Sequence, residues 1–182
     1  EAQRLGRNAI GIELQEDVAK AAHDLVEQEK TKDFKGTIIV GDSRTANIED
    51  RLHHFGIDKV QFVIYHPPYW DIIKFSDNEK DLSNCNSLEE FNQSFGEVID
   101  NTSKYLEKNR YCACVIGDKY ANSEIVPLGF YCMNLFLSRG FKLKAILVKN
   151  FEDTKGKSNQ KAIWRYRALA SDFYLFKHEY IF

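Results

Sequence analysis

The chain has 182 residues, 43% of them hydrophobic and 29% charged, with a net charge of -2. That length supports one globular domain with a real core, and the charge excludes a protein that holds nucleic acid by bulk electrostatics, which needs clustered Lys and Arg. There is no apolar stretch near the ~20 residues a membrane span requires, and Glu1-Ala2-Gln3-Arg4 does not open a signal peptide, so the expectation is a soluble cytoplasmic protein without a membrane partner.

In chain order, Ala9 to Leu14 is a short apolar run that reads as a strand carrying Glu13 near its end. A helical pattern follows from Gln15 to about Lys30, with Val18, Ala21, Ala22, Leu25 and Val26 on one face. Thr37 to Val40 is the next strand and stops at Gly41-Asp42-Ser43. A short helix from Ile48 to Phe55 ends at Gly56.

Val60-Gln61-Phe62-Val63-Ile64-Tyr65 predicts a buried parallel strand that runs into His66-Pro67-Pro68-Tyr69-Trp70. Neither proline has an N–H and each fixes φ, so the strand ends in a rigid turn rich in acceptors. Ligands of open α/β sheets bind at that edge. The turn's carbonyls and a neutral His66 can accept hydrogen bonds, and Tyr69 or Trp70 can cover a ring face. Such a corner suits a planar base with an exocyclic amine; a strand-ending turn with two packed aromatics accounts for the same residues.

Asp71 to Ser87 is polar and acidic, and its composition suggests a mobile loop or lid. Ser87 is placed to cap a helix reaching about Lys108, with Leu88, Phe91, Phe95, Val98, Ile99 and Leu106 at helical spacing. Tyr111 to Ile116 is a strand ending at Gly117-Asp118; Cys112 and Cys114 alternate along it and should face one packed side. The four cysteines, 85, 112, 114 and 132, lack metal-site spacing, so no metal is expected. His23, His53 and His54 read as helix-surface residues.

Val126 to Ser138 is a helix with Pro127 in its first turn and Gly140 beyond its end. Phe141 to Val148 is a strand, and Asp172 to Phe176 with His178 to Phe182 is a closing strand. With no helical pattern between these two, they should form an antiparallel hairpin with one reversed strand at the sheet edge. From Lys149 to Arg167, six basic residues face two acidic ones, about +4. Trp164 and Tyr166 interleave with Arg165 and Arg167, so Lys161, Trp164, Arg165 and Arg167 read either as a base-stacking, backbone-tracking loop or as a solvated one.

The order Glu13, Asp42, His66-Pro67-Pro68-Tyr69 on successive strand ends resembles the S-adenosylmethionine-dependent methyltransferase fold. Arg4 to Glu13, Gly41-Asp42, His66 to Trp70 and Tyr111 to Asp118 resemble the amino-group DNA methyltransferases that modify adenine N6 or cytosine N4, over most of the chain. The resemblance implies an α/β fold: a mostly parallel Rossmann-like sheet with an antiparallel C-terminal hairpin. It implies S-adenosylmethionine as cofactor, with Glu13 at its ribose, Asp42 at its adenine amine, and Leu14 and Ser43 also cofactor-binding; a buried acidic residue at position 42 could instead cap the next helix. It further implies DNA as partner, a target base flipped out and stacked on Tyr69, catalysis at His66, Pro67, Pro68 and Tyr69, and contact with nucleic acid through Trp70.

Alternatives are an RNA base methyltransferase or a non-catalytic nucleic-acid-binding subunit with the same fold; a restriction partner is a further association the resemblance brings with it. His66 stands where the family usually has Asp, Asn or Ser, and no two glycines form G-x-G. The sheet is therefore expected to lack its first strand and glycine loop, and a vacant central position would leave two rows of backbone groups unpaired. An upstream segment or a partner should fill it.

Overall fold

The computed structural model describes residues 1–29, 33–122, 124–150 and 178–182. The Phe151 to Arg167 loop with Lys161, Trp164, Arg165 and Arg167, and the strand expected over Asp172 to Phe176, lie outside the described residues.

The elements are β1 (Ala9–Glu13), α1 (Glu16–Gln28), β2 (Gly36–Val40), α2 (Glu49–His54), β3 (Val60–Tyr65), α3 (Leu88–Ser103), β4 (Leu106–Gly117), β5 (Lys119–Ala121), β6 (Glu124–Val126), α4 (Leu128–Ser138), β7 (Leu147–Asn150) and β8 (His178–Ile181). Two 3-10 turns, Trp70–Ile72 and Leu82–Asn84, lie between β3 and α3. The main sheet comes in two pieces: β1 pairs with β2 in parallel, and a second piece runs β3-β4-β8-β7. β5 and β6 form a separate hairpin that the sequence pattern did not announce.

β3 and β4 are parallel, whereas β8 is antiparallel to both β4 and β7. The reversed strand is thus inside this piece of sheet, between β4 and β7, and not at its edge as expected. The hairpin itself is there; the returning strand wedges in next to β4, where Cys114 and Phe182 exchange both backbone hydrogen bonds at 3.1 Å.

One face of the second piece is packed by α3 and α4. Tyr65, Cys114 and Ile116 from the strands meet Phe91, Phe95 and Ile99 of α3 and Leu128, Cys132 and Phe136 of α4. Each of these is under 8% exposed, and burial at about 25 cal/mol per Å² of apolar surface is what holds the helices to the sheet. Tyr65 carries a polar tip into this core, and its hydroxyl is satisfied at 2.8 Å by Thr102 Oγ1. Cys112 and Cys114 do share this face, as period-2 alternation requires.

The opposite face departs from the expected buried strand: Phe62 is 52% and Ile64 65% exposed, beside Tyr111 at 61%. α3 stops at Ser103 instead of reaching Lys108, because Leu106 already pairs with Val60 in β4. Among the described residues, β1 has no strand partner other than β2 and β3 none other than β4. No helix among them is long and apolar enough to cross a membrane.

Candidate functional site

The Pro-Pro turn leaves β3 at its carboxyl end, beside the end of β4. Pro67 is buried, Pro68, Tyr69 and Trp70 are half-buried, and His66 is exposed. The turn is fixed from several sides. A Cβ on Gly117, the last residue of β4, would lie 2.8 Å from Tyr69 Cε2, so the tyrosine ring rests directly on the bare backbone there. The Tyr69 hydroxyl donates to Glu179 Oε1 at 2.6 Å and lies 3.4 Å from His66 Nε2.

Glu179 belongs to β8, where it is cross-strand partner to both Gly117 and Lys149, and Lys149 Nζ donates to its other oxygen at 3.2 Å. Burial, then the Glu179 acceptor, pushes the Tyr69 phenol well above its ordinary range. Burial works against the Glu179 charge too, but the Tyr69 hydroxyl and Lys149 outweigh it and hold the carboxyl below its usual value. At neutral pH, then, the phenol keeps its proton and the carboxylate accepts a hydrogen bond from it.

Trp70 sits at φ 51°, an αL backbone that a bulky side chain seldom adopts without compensation. The compensation is visible: its indole N–H donates to the Cys85 carbonyl at 2.9 Å, and Lys119 Nζ lies 4.0 Å from the ring centroid while also pairing with Asp71. The indole therefore anchors the segment that follows it. That segment, read from its composition as a mobile loop or lid, carries internal hydrogen bonds. Asp81, 8% exposed, accepts from Ser76 Oγ, Ser83 N and Ser83 Oγ, and Asn84 bonds the Ser76 and Asn78 carbonyls. The polar groups of the segment thus satisfy one another.

On the other sheet piece, Glu13 ends β1 half-buried, with Oε1 accepting from Gln15 N at 2.9 Å; its carbonyl accepts from Gly41 N at 2.8 Å. That bond ties the Glu13 end to the Gly41-Asp42 turn, where Leu14 and Ser43 are half-buried neighbours. Asp42 is engaged by Arg44: Nε reaches both carboxylate oxygens at 3.1 and 2.9 Å, Nη2 lies 2.8 Å from Oδ2, and Arg44 N donates to Oδ1. Burial would raise the Asp42 carboxyl, but these contacts more than offset it and hold it below the ordinary carboxylate range.

Arg44 also links the two rims. Its Nη2 reaches the Lys80 carbonyl at 3.4 Å and its Nη1 lies 3.5 Å from Ser94 Oγ on α3. Asn101 of α3 donates to the Ser43 and Ala46 carbonyls at 3.0 and 3.1 Å. A continuous set of contacts thus runs from Glu13 through Asp42, Arg44 and the segment ending at Cys85 to Trp70 and Tyr69. A cavity of about 640 Å³ lies elsewhere, by Gly36 and Thr37 at the amino end of β2, with His23, Arg51 and His54 in its wall; it is away from this rim.

Sequence reasoning missed Glu179, Gly117 and Arg44 as parts of this rim. Only Glu179 left a trace, a carboxylate between His178 and Tyr180 in an otherwise aromatic strand. Among the described residues no cluster of His, Cys, Asp and Glu could hold a metal ion.

Comparison with protein-family models and with curated proteins gives no match. Among solved structures, a putative methyltransferase from Bacillus halodurans is similar with a TM-score of 0.50 and 12% identity, over 96% of this chain and 80% of that one. At that identity the likeness is one of fold: the mixed α/β architecture described above is shared with that protein.

Proposed function

We propose that the chain is an S-adenosylmethionine-dependent methyltransferase acting on the exocyclic amine of adenine or cytosine in DNA, with a structured RNA base as the alternative substrate. The observation that carries this reading is the Pro-Pro corner: acceptors from His66 and the prolines, and a Tyr69 ring seated on Gly117, at the carboxyl edge of a methyltransferase-type sheet.

The residues at the ends of β1 and β2 can be tested against the cofactor. Glu13 fits a ribose diol, since only one of its oxygens is used, by Gln15 N, among the described residues. Asp42 fits an adenine amine less simply, because Arg44 already spans both of its oxygens, so the amine would bind beside Arg44 or in its place. When bound, S-adenosylmethionine supplies a methyl group on a positively charged sulfur.

The work of the chain's own residues is positioning. An aromatic amine is a poor nucleophile because its lone pair is delocalised into the ring. Accepting its two N–H bonds at the Pro67 carbonyl and at His66 favours a tetrahedral nitrogen, whose lone pair then points out of the ring plane. Tyr69 holds the base plane, and the base must leave its duplex to reach it. Trp70, together with Lys161, Trp164, Arg165 and Arg167, is proposed to contact nucleic acid. Given its hydrogen bond to Cys85, Trp70 would act there chiefly by holding the corner.

The edges of β1 and β3 that are unpaired among the described residues, and the exposed Phe62, Ile64 and Tyr111, support a companion proposal: a further segment, from the same polypeptide or a partner, completes the sheet. Transfer of labelled methyl from S-adenosylmethionine to duplex DNA and to tRNA tests the reading. Incorporation into DNA at the base amine is expected, incorporation into tRNA alone moves it to RNA, and cofactor binding without transfer to either leaves the non-catalytic alternative.

A further inference from the structure

His66 poses a chemical problem for that reading, on which this inference rests: a neutral imidazole has one acceptor nitrogen, so the corner works only if that nitrogen is the one facing the amine. The neighbours of His66 decide which it is. Tyr69 has one hydroxyl proton, and its 2.6 Å contact commits that proton to Glu179. A hydroxyl that has given its proton away can only accept from a second neighbour. The second neighbour is His66 Nε2, at 3.4 Å.

We propose that Glu179 and Tyr69 are positioning residues that fix the His66 tautomer: Glu179 accepts from Tyr69, Tyr69 accepts from Nε2–H, and Nδ1 is left as the lone-pair nitrogen that receives an amine N–H of the substrate base. The relay is held rigidly. Gly117, Glu179 and Lys149 form one cross-strand row over β4, β8 and β7, with the Tyr69 ring lying on the first and its hydroxyl bonded to the second. Lys149 takes the other Glu179 oxygen, which leaves Oε1 to Tyr69. No residue of the relay changes charge in this arrangement; a proton is assigned, not moved.

The assignment is read directly by long-range imidazole proton–nitrogen correlation on nitrogen-15 protein at about pH 8. The His66 signals are identified by their loss in His66→Asn. The expected result is a single tautomer with the proton on Nε2. Tyr69→Phe, which keeps the ring on Gly117 but removes the acceptor, should lose that preference and give a mixture. Glu179→Gln should weaken it, because an amide can donate to the tyrosine oxygen as well as accept from it. A wild-type proton on Nδ1, or an unchanged Nε2–H tautomer in Tyr69→Phe, overturns the inference.

Because the tautomer is measured without substrate, a chain that transfers no methyl group still answers the question. Methyl transfer by a chain whose His66 carries Nδ1–H would sink this inference alone. In an active chain, Tyr69→Phe should lower kcat more than it raises KM, as expected for a group that orients an acceptor.

Discussion

The two pieces of sheet hold their rims in different ways. Behind the Pro-Pro corner stands a packed core, from Tyr65 and Cys114 through Phe91 and Phe95 to Phe136, and the corner is further pinned by Gly117 and Glu179. Behind Glu13 and Asp42, among the described residues, only Ala19, Ile48 and Leu52 are buried apolar residues, while Leu25 of α1 is 62% and Val40 of β2 55% exposed. That rim is kept in shape by short-range bonds: Gln15 N to Glu13, Gly41 N to the Glu13 carbonyl, and the Arg44 clasp on Asp42. The Pro-Pro corner is thus built by packing, and the Glu13–Asp42 rim by local turns and one arginine strap.

The sharpest way to break the comparison is to hollow out each half. Phe95 is 1% exposed and packs edge-on against Tyr65 and Phe136. Phe95→Ala should cost about 3–5 kcal/mol of stability, since the side chain leaves a cavity the surroundings fill only in part. Leu25→Ala on α1 should cost under about 0.5 kcal/mol, as for an exposed site. Urea denaturation of both variants is the measurement; equal losses would mean that the halves do not differ in packing.

Next in size is Gly117→Ala. The new methyl would sit 2.8 Å from Tyr69 Cε2 and 3.2 Å from the His178 carbonyl, so the ring must lift off β4. A displacement of roughly 1 Å at the group proposed to orient the substrate should cost about a hundredfold in kcat. If methyl transfer is measured and Gly117→Ala leaves kcat intact, Tyr69 does not set the base plane.

What was legible beforehand follows the same division. β-Branched residues running into Pro67 and Pro68 announced β3 and its end, and Ser87 with apolar spacing announced α3, because these signals are local. Glu107 to Arg110 carry no apolar pattern, so the early start of β4 was hidden; there the β3 register shifts after Val60 and Asn109 takes φ 64°. The exposure of Phe62 and Ile64 was illegible for another reason: a strand's sequence reports that it can be covered, not whether anything covers it. Glu179 and Arg44 were missed because their roles come from cross-strand register and from a loop-to-helix strap, neither of which leaves a periodic mark.

The arginine strap gives an intermediate effect with a defined pH window. Arg44→Gln removes a charged hydrogen-bonding partner from Asp42 and should destabilise the chain by about 2 kcal/mol at neutral pH. The folded Asp42 carboxyl lies below its unfolded value of 3.8, so the strap's contribution is complete above that value and fades as pH falls through the folded one. The wild-type advantage over Arg44→Gln should therefore be level between about pH 5 and 8 and shrink below about pH 4. A difference that grew on acidification would contradict the Asp42 assignment.

The smallest effect separates the halves at the level of single helix starts. α3 is capped, with Ser87 Oγ accepting from Glu90 N at 3.1 Å and Glu90 Oε2 accepting from Asn86 N at 2.8 Å. α1 begins at Gln15, whose backbone is extended (φ -89°, ψ 123°) as a capping residue requires, but whose side chain caps nothing. Ser87→Ala should lose about 1 kcal/mol, and Gln15→Ser should gain up to about 1 kcal/mol by supplying the absent acceptor to the first turn. The Gln15 donor to Glu13 Oε1 is the backbone N–H and survives the change. A gain in unfolding free energy without a change in cofactor affinity would therefore mark α1 as the less optimised helix and leave the Glu13 end of the rim undisturbed.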